Sequence, residues 1–415
     1  MQNSKNKPAI RFKGFTDAWE QRKFKDIAGT RRGLTYKPTD ITDRGIRVLR
    51  SSNINEDCFE IHDDDVLVNE DVVNIPYAKN GDILITSANG SSKLIGKHAI
   101  IHDIQEKSTV PGGFMLIASS DEPEFINASM SSPWYTKFIN VFVSGGNGSI
   151  GNLSKVDLDE QYILVPCKEE REKIGSYFSN LDNLITLHQR KHEKLLKLKN
   201  ALLERMFPAN GKNFPKIRFL GFTDAWEYRK LRDIGSAYSG LTGKTREDFG
   251  HGSAKFITYM NVFSNPTCSQ ELQDPIEVDS RQNEVEIGDA FFTISSETPE
   301  EVGMSSVLLE KTGITYLNSF CFGFRPIEKL DNFFLAHMLR SKGARKQIVR
   351  LAQGISRYNI SKNKMLEIDI FFPGPREQKQ IGEICCHLDK LLSLHQRKLK
   401  TLQNIKNALL EKMFV

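Results

Sequence analysis

The chain has few of the features that name a chemistry at sight. Its six cysteines (Cys58, Cys167, Cys268, Cys321, Cys385 and Cys386) form no Cys-x-x-Cys, which argues against a zinc site or a disulfide framework. No stretch approaches the ~18 apolar residues of a membrane span. The N-terminal MQNSKNKPAIRFKG has no apolar segment of a secretory signal, so a cytoplasmic location is expected by elimination. There is no G-x-S-x-G elbow, H-E-x-x-H, Walker P-loop or paired Cys/His pattern. Asn265-Pro266-Thr267-Cys268 departs from the Asn-Pro-Pro-aromatic motif with which an amino-methyltransferase holds its target base. Charge of one sign is lacking too: 57 Lys+Arg against 52 Asp+Glu leave +5, too little to name a partner. What remains is a soluble globular composition, 39% hydrophobic and 26% charged, with length for two or three domains.

What is present is a repeat, and repeats decide architecture. Residues 8–35 (PAIRFKGFTDAWEQRKFKDIAGTRRGLT) and 215–242 (PKIRFLGFTDAWEYRKLRDIGSAYSGLT) share 18 of 28 positions at an offset of 207. Residues 170–207 match 377–414 at the same offset, with LHQRK and KNALLE in both. Between these flanks the offset survives in Gly81-Asp82 with Gly288-Asp289, and in Asn152–Lys155 with Asn359–Lys362. Most of 36–145 and 243–352 shows little similarity. An old duplication with drifted middles would give this pattern. So would one scaffold carrying two variable modules, and the near-identical flanks favour that second reading.

The flanking helices carry a seam. Ile174, Phe178, Leu181, Ile185, His188, His192, Leu195, Lys199, Leu202 and Met206 step by four and three, a heptad stripe. Ile381, Cys385, Leu388, Leu392, His395, Leu399, Leu402, Lys406, Leu409 and Met413 repeat it. Each segment predicts one helix of roughly 35 residues, about 50 Å long. A lone stripe must be buried, and each helix has the other as its obvious partner, antiparallel if the repeats obey a pseudo-two-fold axis. His188 and His395 are then a polar register device or, alternatively, a metal pair; Lys199 and Lys406 snorkel or meet a partner protein. The modules read as α+β: strands after each Gly-Asp, at Phe114–Ala118, Phe320–Phe324, Tyr162–Val165 and Ile368–Phe372, and an amphipathic helix over 331–351. The expected division is module 1–167, helix 168–207, linker 208–216, module 217–374 and helix 375–415.

Gly146-Asn147-Gly148-Ser149-Ile150-Gly151 matches G-x-G-x-x-G. However, Asn152–Lys155 leads to a strand rather than a helix, and the second half lacks the glycines, so no dinucleotide site is expected. Residues 168–207 carry a net +3 and 375–414 a net +4, so the rest of the chain sums to −2. Nucleic-acid contact by the modules would therefore use local clusters, in side chains that suit phosphates and base edges. In the first module these are Arg31, Arg32, Lys37, Arg44, Arg47, Arg50, Ser51, Ser52, Asn53, Ser87, Asn89, Ser91, Ser92, Lys93, Asn147 and Lys155. In the second they are Lys244, Arg246, Lys255, Tyr259, Asn261, Ser295, Ser296, Arg357, Tyr358 and Lys362. An ordinary solvated surface is the bland alternative for each.

The arrangement resembles the specificity subunit of Type I restriction-modification systems across the whole chain. Phe15–Glu20 with Asp26-Ile27, and Phe222–Glu227 with Asp233-Ile234, look like the starts of two target-recognition domains. Asn152–Lys155 with Pro166, and Asn359–Lys362 with Pro373, look like their ends, and the LHQRK…KNALLE helices look like the spacers. The resemblance implies two similar α/β domains joined by an antiparallel coiled coil, and a non-catalytic reader of bipartite double-stranded DNA. A ~50 Å helix spans about 15 base pairs. By the same resemblance, two modification subunits dock on the helices and use S-adenosylmethionine to methylate adenine N6 after flipping it. Two motor-nuclease subunits use ATP and Mg, and this chain binds no cofactor or metal. A self-contained adenine-N6 methyltransferase and a coiled-coil protein scaffold are the competing expectations.

Overall fold

Both modules grow from the repeated Gly-Asp step. In the computed structural model, which describes residues 6–143, 151–208 and 212–415, Gly81 and Gly288 adopt φ of +92° and +95°, a backbone that a side chain would strain. Each turn leads into a strand, Ile83–Thr86 or Ala290–Thr293, buried along its whole length. The aspartate anchors the turn. Asp82 accepts from the Lys79 amide (3.0 Å), the Ser119 hydroxyl (2.6 Å) and Arg31 (2.7 Å). Asp289 accepts from the Glu286 amide (2.8 Å), the Tyr238 hydroxyl (2.5 Å) and Arg325 (2.8 Å).

The chain packs as two compact units, 1–190 with 396–415 and 191–395. In the first, an antiparallel sheet runs Gly29–Arg32, Met115–Ser119, Ile83–Thr86, His98–Ile100. Ile83 and Ile85 face a core shared with the helices Pro123–Met130 and Pro133–Phe142, while Leu84 faces a second core with Leu49, Ile54 and Phe59. Burial on both faces explains the unbroken apolar run in the sequence. A second sheet orders Thr109–Pro111, Ile41–Leu49 and Leu67–Val68, its first pair parallel. The second unit repeats both sheets: Gly235–Ser239, Cys321–Pro326, Ala290–Thr293, Ser305–Val307, and then Gln273–Ile276, Phe249–Ile257, Thr315–Leu317. The α+β architecture expected from the repeat is thus present twice.

Two local expectations change. The predicted 331–351 helix breaks at Ser341, whose hydroxyl accepts from the Ala344 amide (3.4 Å) and so caps a new helix, Lys342–Arg350. Asn-Leu-Ser-Lys opens a short helix rather than leading straight to a strand: Ser154 caps Lys155–Glu160 through the Asp157 amide (3.5 Å). The Gly146–Gly151 pattern lies outside the described residues except for Gly151, which begins the strand Gly151–Asn152. Asn147, and residues 209–211 of the expected linker, also lie outside them.

The two long helices, Lys168–Met206 and Pro375–Met413, have 39 residues each, one turn more than the seam alone predicts. Both units pair a start of one helix with an end of the other. In the first unit, Ile174 and Phe178 share a core with Leu410, Met413 and Phe414. In the second, Ile381 and Cys385 share a core with Met206 and, partly buried, Leu202. One index rises as the other falls, so the pairing is antiparallel in each. Every seam residue is buried or half-buried, including His188 and His395.

The repeated flank is the joint that fastens each module to these helices. Arg11 grips Glu170 with two hydrogen bonds (2.9 and 2.6 Å), and Arg218 grips Glu377 likewise (2.7 and 2.8 Å). Trp19 packs edge-on against Phe414 at 5.9 Å and Trp226 against Phe207 at 6.2 Å. The Ile10 amide donates to Lys412 (2.9 Å) as the Ile217 amide donates to Arg205 (3.0 Å). In the second unit the helix end precedes the joint in sequence; in the first it is the last segment of the chain. The symmetry is circular.

Candidate nucleic-acid interface

At one end of each four-stranded sheet, a tight turn meets a two-stranded ribbon. In the first unit the turn is Gly112–Met115, closed by the Met115 amide on Gly112 (2.8 Å). The Phe114 carbonyl accepts from the Ser87 (2.9 Å) and Ala88 (3.1 Å) amides, tying the turn to the strand Ala88–Asn89. That strand pairs with Gly151–Asn152. Asn89 donates to the Ser51 hydroxyl (3.0 Å), drawing in the 51–53 helical turn. Tyr36, Arg50, Ser51, Asn89 and Phe114 line one cleft of about 690 Å³.

The second unit builds the same end from different residues. Cys321 closes the turn on Asn318 (3.3 Å), the Phe320 carbonyl accepts from Ile294 (3.0 Å), and Ser295-Ser296 pairs with Asn359 and Tyr358. The Tyr259 hydroxyl donates to the Ser295 carbonyl (2.7 Å). Two arginines brace this end from within. Arg340 donates to the carbonyls of Val262, Phe263, Asn265 and Ser305, and Arg345 to those of Glu300, Val302 and Gly303. Burial pulls both guanidinium groups down to about 10. The sequence placed them on an amphipathic helix with no hint of this role.

Several residues selected from the sequence turn out to hold the scaffold. Asn53 is fully buried, accepting from the Arg50 amide (2.7 Å) and donating to Glu60 (2.9 Å) and Asp65. Asn261 is equally buried and donates to Ser269 (2.7 Å) and Leu272 (3.0 Å). Ser87 donates to the Leu153 carbonyl (2.9 Å), and Ser296 donates to Glu301 (3.1 Å). Arg31 is committed to Asp82, Arg47 to Asp65 (3.2 Å), Lys155 to Asp159, and Lys244 to Asp279 (3.1 Å) and Asp248 (3.4 Å). Buried polar groups demand partners, and each of these residues has at least one internal hydrogen bond or ion pair. Lys362 lies within 3.4 Å of the Ser239 hydroxyl and is half-buried, as are Ser51, Asn89, Tyr259, Ser295 and Tyr358. Arg32, Lys37, Arg44, Arg50, Ser52, Ser91, Ser92, Lys93, Arg246, Lys255 and Arg357 are exposed. Phe114 and Phe320, which the sequence offers only as first residues of strands, are 70% and 61% exposed at the tips of the two turns.

The helices hold a second pair of equivalents. Lys406 meets Asp182 at 2.8 Å in the first unit, and Lys199 meets Asp389 at 2.5 Å in the second. Both lysines are nearly buried, so they are internal ion-pair partners rather than snorkelling groups. Burial opposes the Lys406 charge, but Asp182 and Asp57 outweigh it and raise its pKa. Burial likewise opposes ionisation of Asp389, yet His337 (2.9 Å) and Lys199 hold its carboxyl below the ordinary range. Facing outward, the first unit exposes Leu184, Leu187 and Ile405; the second exposes their equivalents Leu391, Leu394 and Leu198. Among the described residues no group of three or more His, Cys, Asp or Glu could hold a metal, and no helix is long and apolar enough to cross a membrane.

A family model described as the Type I restriction modification DNA specificity domain matches residues 16–197 and again 223–404. The MjaVIII Type I restriction enzyme specificity subunit of Methanocaldococcus jannaschii is 23% identical over 269 residues, 63% of each chain. A putative MjaX Type I specificity subunit of the same organism is 25% identical over 424 aligned positions, covering 94% of this chain and 92% of that one. Among solved structures, the S subunit of a Type I restriction-modification system from M. genitalium superposes with a TM-score of 0.59 at 16% identity, over 99% of both chains, a likeness of fold.

Proposed function

The chain belongs to the Type I restriction modification DNA specificity family, and from that premise we propose that it is the sequence-reading subunit of a Type I restriction-modification complex. Each unit reads one half of a bipartite site in double-stranded DNA, and the chain carries out no chemistry itself. One observation carries this reading: the same sheets, turn and ribbon recur in two units whose exposed side chains differ. Two readers of two different half-sites require that combination, because sequence is read by side chains at base edges while the scaffold only positions them. Arg32, Arg50, Asn89, Ser91 and Lys93 are the reading and phosphate-holding set of the first unit; Arg246, Lys255, Ser295, Arg357 and Tyr358 are that of the second.

The outward apolar side chains support a docking role for the helices. Equivalent apolar sets, one per unit, suit two copies of a modification subunit, each burying one set. S-adenosylmethionine then belongs to those subunits, ATP and Mg to two restriction subunits, and the assembly to the cytoplasm where its DNA is. The helices fix the separation of the half-sites, so one added heptad in each widens the unread spacer by about 10.5 Å, or three base pairs. The deciding experiment exchanges residues 36–150 for the corresponding segment of another family member and sequences the host methylome. One half of the methylated motif should change while the other stays. Change in both halves, or in neither, would sink the two-reader proposal, and S-adenosylmethionine binding by the isolated chain would favour the methyltransferase alternative.

A further inference from the structure

Phe114 and Phe320 are not explained by folding. Each ring stands in solvent at the tip of a turn closed by main-chain hydrogen bonds, which any side chain would permit. Each turn is also fastened through the phenylalanine's own carbonyl, which accepts from Ser87 and Ala88 in the first unit and from Ile294, next to the ribbon, in the second. The surrounding residues have diverged: Gly112-Gly113 precedes one ring and Asn318-Ser319 the other. The ring alone is retained, at the same place in two units that share little sequence there.

Its surroundings limit what it can meet. In the first unit the ring lines the cleft that also holds Arg50, Ser51 and Asn89, side chains able to reach phosphates or the hydrogen-bonding edges of bases. In the second, the turn is tied to Ile294, the residue before Ser295 on the ribbon. An apolar ring beside such groups needs an apolar feature at the same depth. In the major groove a base pair presents only one, the C5 methyl of thymine.

We infer that Phe114 and Phe320 are specificity-determining residues, each packing its ring on a thymine methyl within the half-site read by its own unit. The inference rests on the DNA-reading function proposed above. Both rings act alike on separate half-sites, so each can be tested with the other as its control.

The test uses the full chain assembled with its modification subunits, and duplexes carrying the methylome-derived motif. Uracil replaces thymine one position at a time, and anisotropy at fixed salt reads the affinity. One substitution in the first half-site should weaken the wild-type complex about fourfold, the worth of one methyl-sized contact at ~0.8 kcal/mol. Phe114→Ala should bind that duplex and its thymine parent equally, while Phe114→Leu, still apolar, keeps part of the difference. Phe320→Ala should lose discrimination only in the second half-site. The inference is overturned if no thymine methyl is sensed, or if Phe114→Ala still senses it. It is also overturned if Phe114→Ala weakens binding without regard to the methyl, as a ring wedged between bases would, or leaves DNA binding intact while losing a partner subunit. Wild-type complex that binds a scrambled duplex as tightly as the motif would instead refute the reading function itself.

Discussion

Replacing the second-to-last residue of the chain should loosen its N-terminal module. Phe414 is 6% exposed, and its ring lies 5.9 Å from Trp19, 6.0 Å from Phe125 and 5.9 Å from Phe178. Those rings come from the repeated flank, from a helix covering the sheet, and from the first long helix, so Phe414 closes a core assembled from distant parts of the sequence. Truncating a buried aromatic to alanine costs about 3–5 kcal/mol. At about 2–4 °C per kcal/mol for a unit of this size, Phe414→Ala should lower its melting temperature by roughly 6–20 °C. Hydrogen exchange on the full chain localises the effect. Exchange should accelerate in the strand Met115–Ser119 and helix Pro123–Met130, while Ala290–Thr293 stays protected. Phe207→Ala should do the reverse, since Phe207 meets Trp226 and Phe334 within the second unit at 6.2 and 5.7 Å. If Phe414→Ala accelerated exchange only in the last helical turns, the circular joint would not be a structural closure and the reasoning would be wrong.

Arg11→Met leaves Glu170, 1% exposed, without its cation. It should cost about 3–5 kcal/mol in urea unfolding of the first unit, most of it recovered by adding Glu170→Gln; equal costs for the single and double variants would contradict this. Asp389 is ionised more readily in the folded than the unfolded chain, so its stabilisation is present above the unfolded value near 4 and fades as pH falls through the lower folded value. The gap between wild type and Asp389→Asn should therefore narrow on acidification below about pH 4, and a gap that widens there would reverse the assignment. Leu187→Asp or Leu394→Asp should each remove one modification subunit from the assembly, read by native mass spectrometry. Full occupancy with either aspartate would remove the apolar sets from the docking surface.

The large features were legible because they rest on periodicity and on an offset. A heptad stripe demands a partner, and the repeat supplied one; the strands after Gly81-Asp82 and Gly288-Asp289 follow from short apolar runs behind a turn. The site was harder to read, because polar residue type does not reveal which way a side chain faces. Asn53 and Arg50 are three apart in one segment, yet one is fully buried and the other exposed. Arg31 and Arg32 are adjacent on a strand, so one turns inward to Asp82 and the other outward, as alternation requires. Knowing that Asp82 was buried would have assigned Arg31 to it. The exposed phenylalanines were hidden for the converse reason: an aromatic at the head of an apolar run reads as its first buried residue, and only the turn geometry sets it apart.

The distribution of identity between the repeats follows from the circular joint. Arg11, Trp19, Glu170 and Phe414, with Arg218, Trp226, Glu377 and Phe207, each contact a residue contributed by another stretch of the repeat. Arg11–Glu170 and Arg218–Glu377 are each 159 residues apart, whereas Trp19 and Phe414 lie near opposite ends of the chain and Phe207 and Trp226 close together, yet the ring distances and geometry agree. A change at Trp19 would have to be matched by one at Phe414 to keep that joint, and nothing about Trp226 and Phe207 would compensate for it. Two joints that must each stay closed retain the same residues independently. The readers face no such coupling, since a different arginine or serine on an exposed ribbon alters what is bound without disturbing what holds it. High identity in this chain therefore marks the joints and helix seams. The bases read must be sought where the two halves disagree, around turns and ribbons that corresponding main-chain hydrogen bonds close in both.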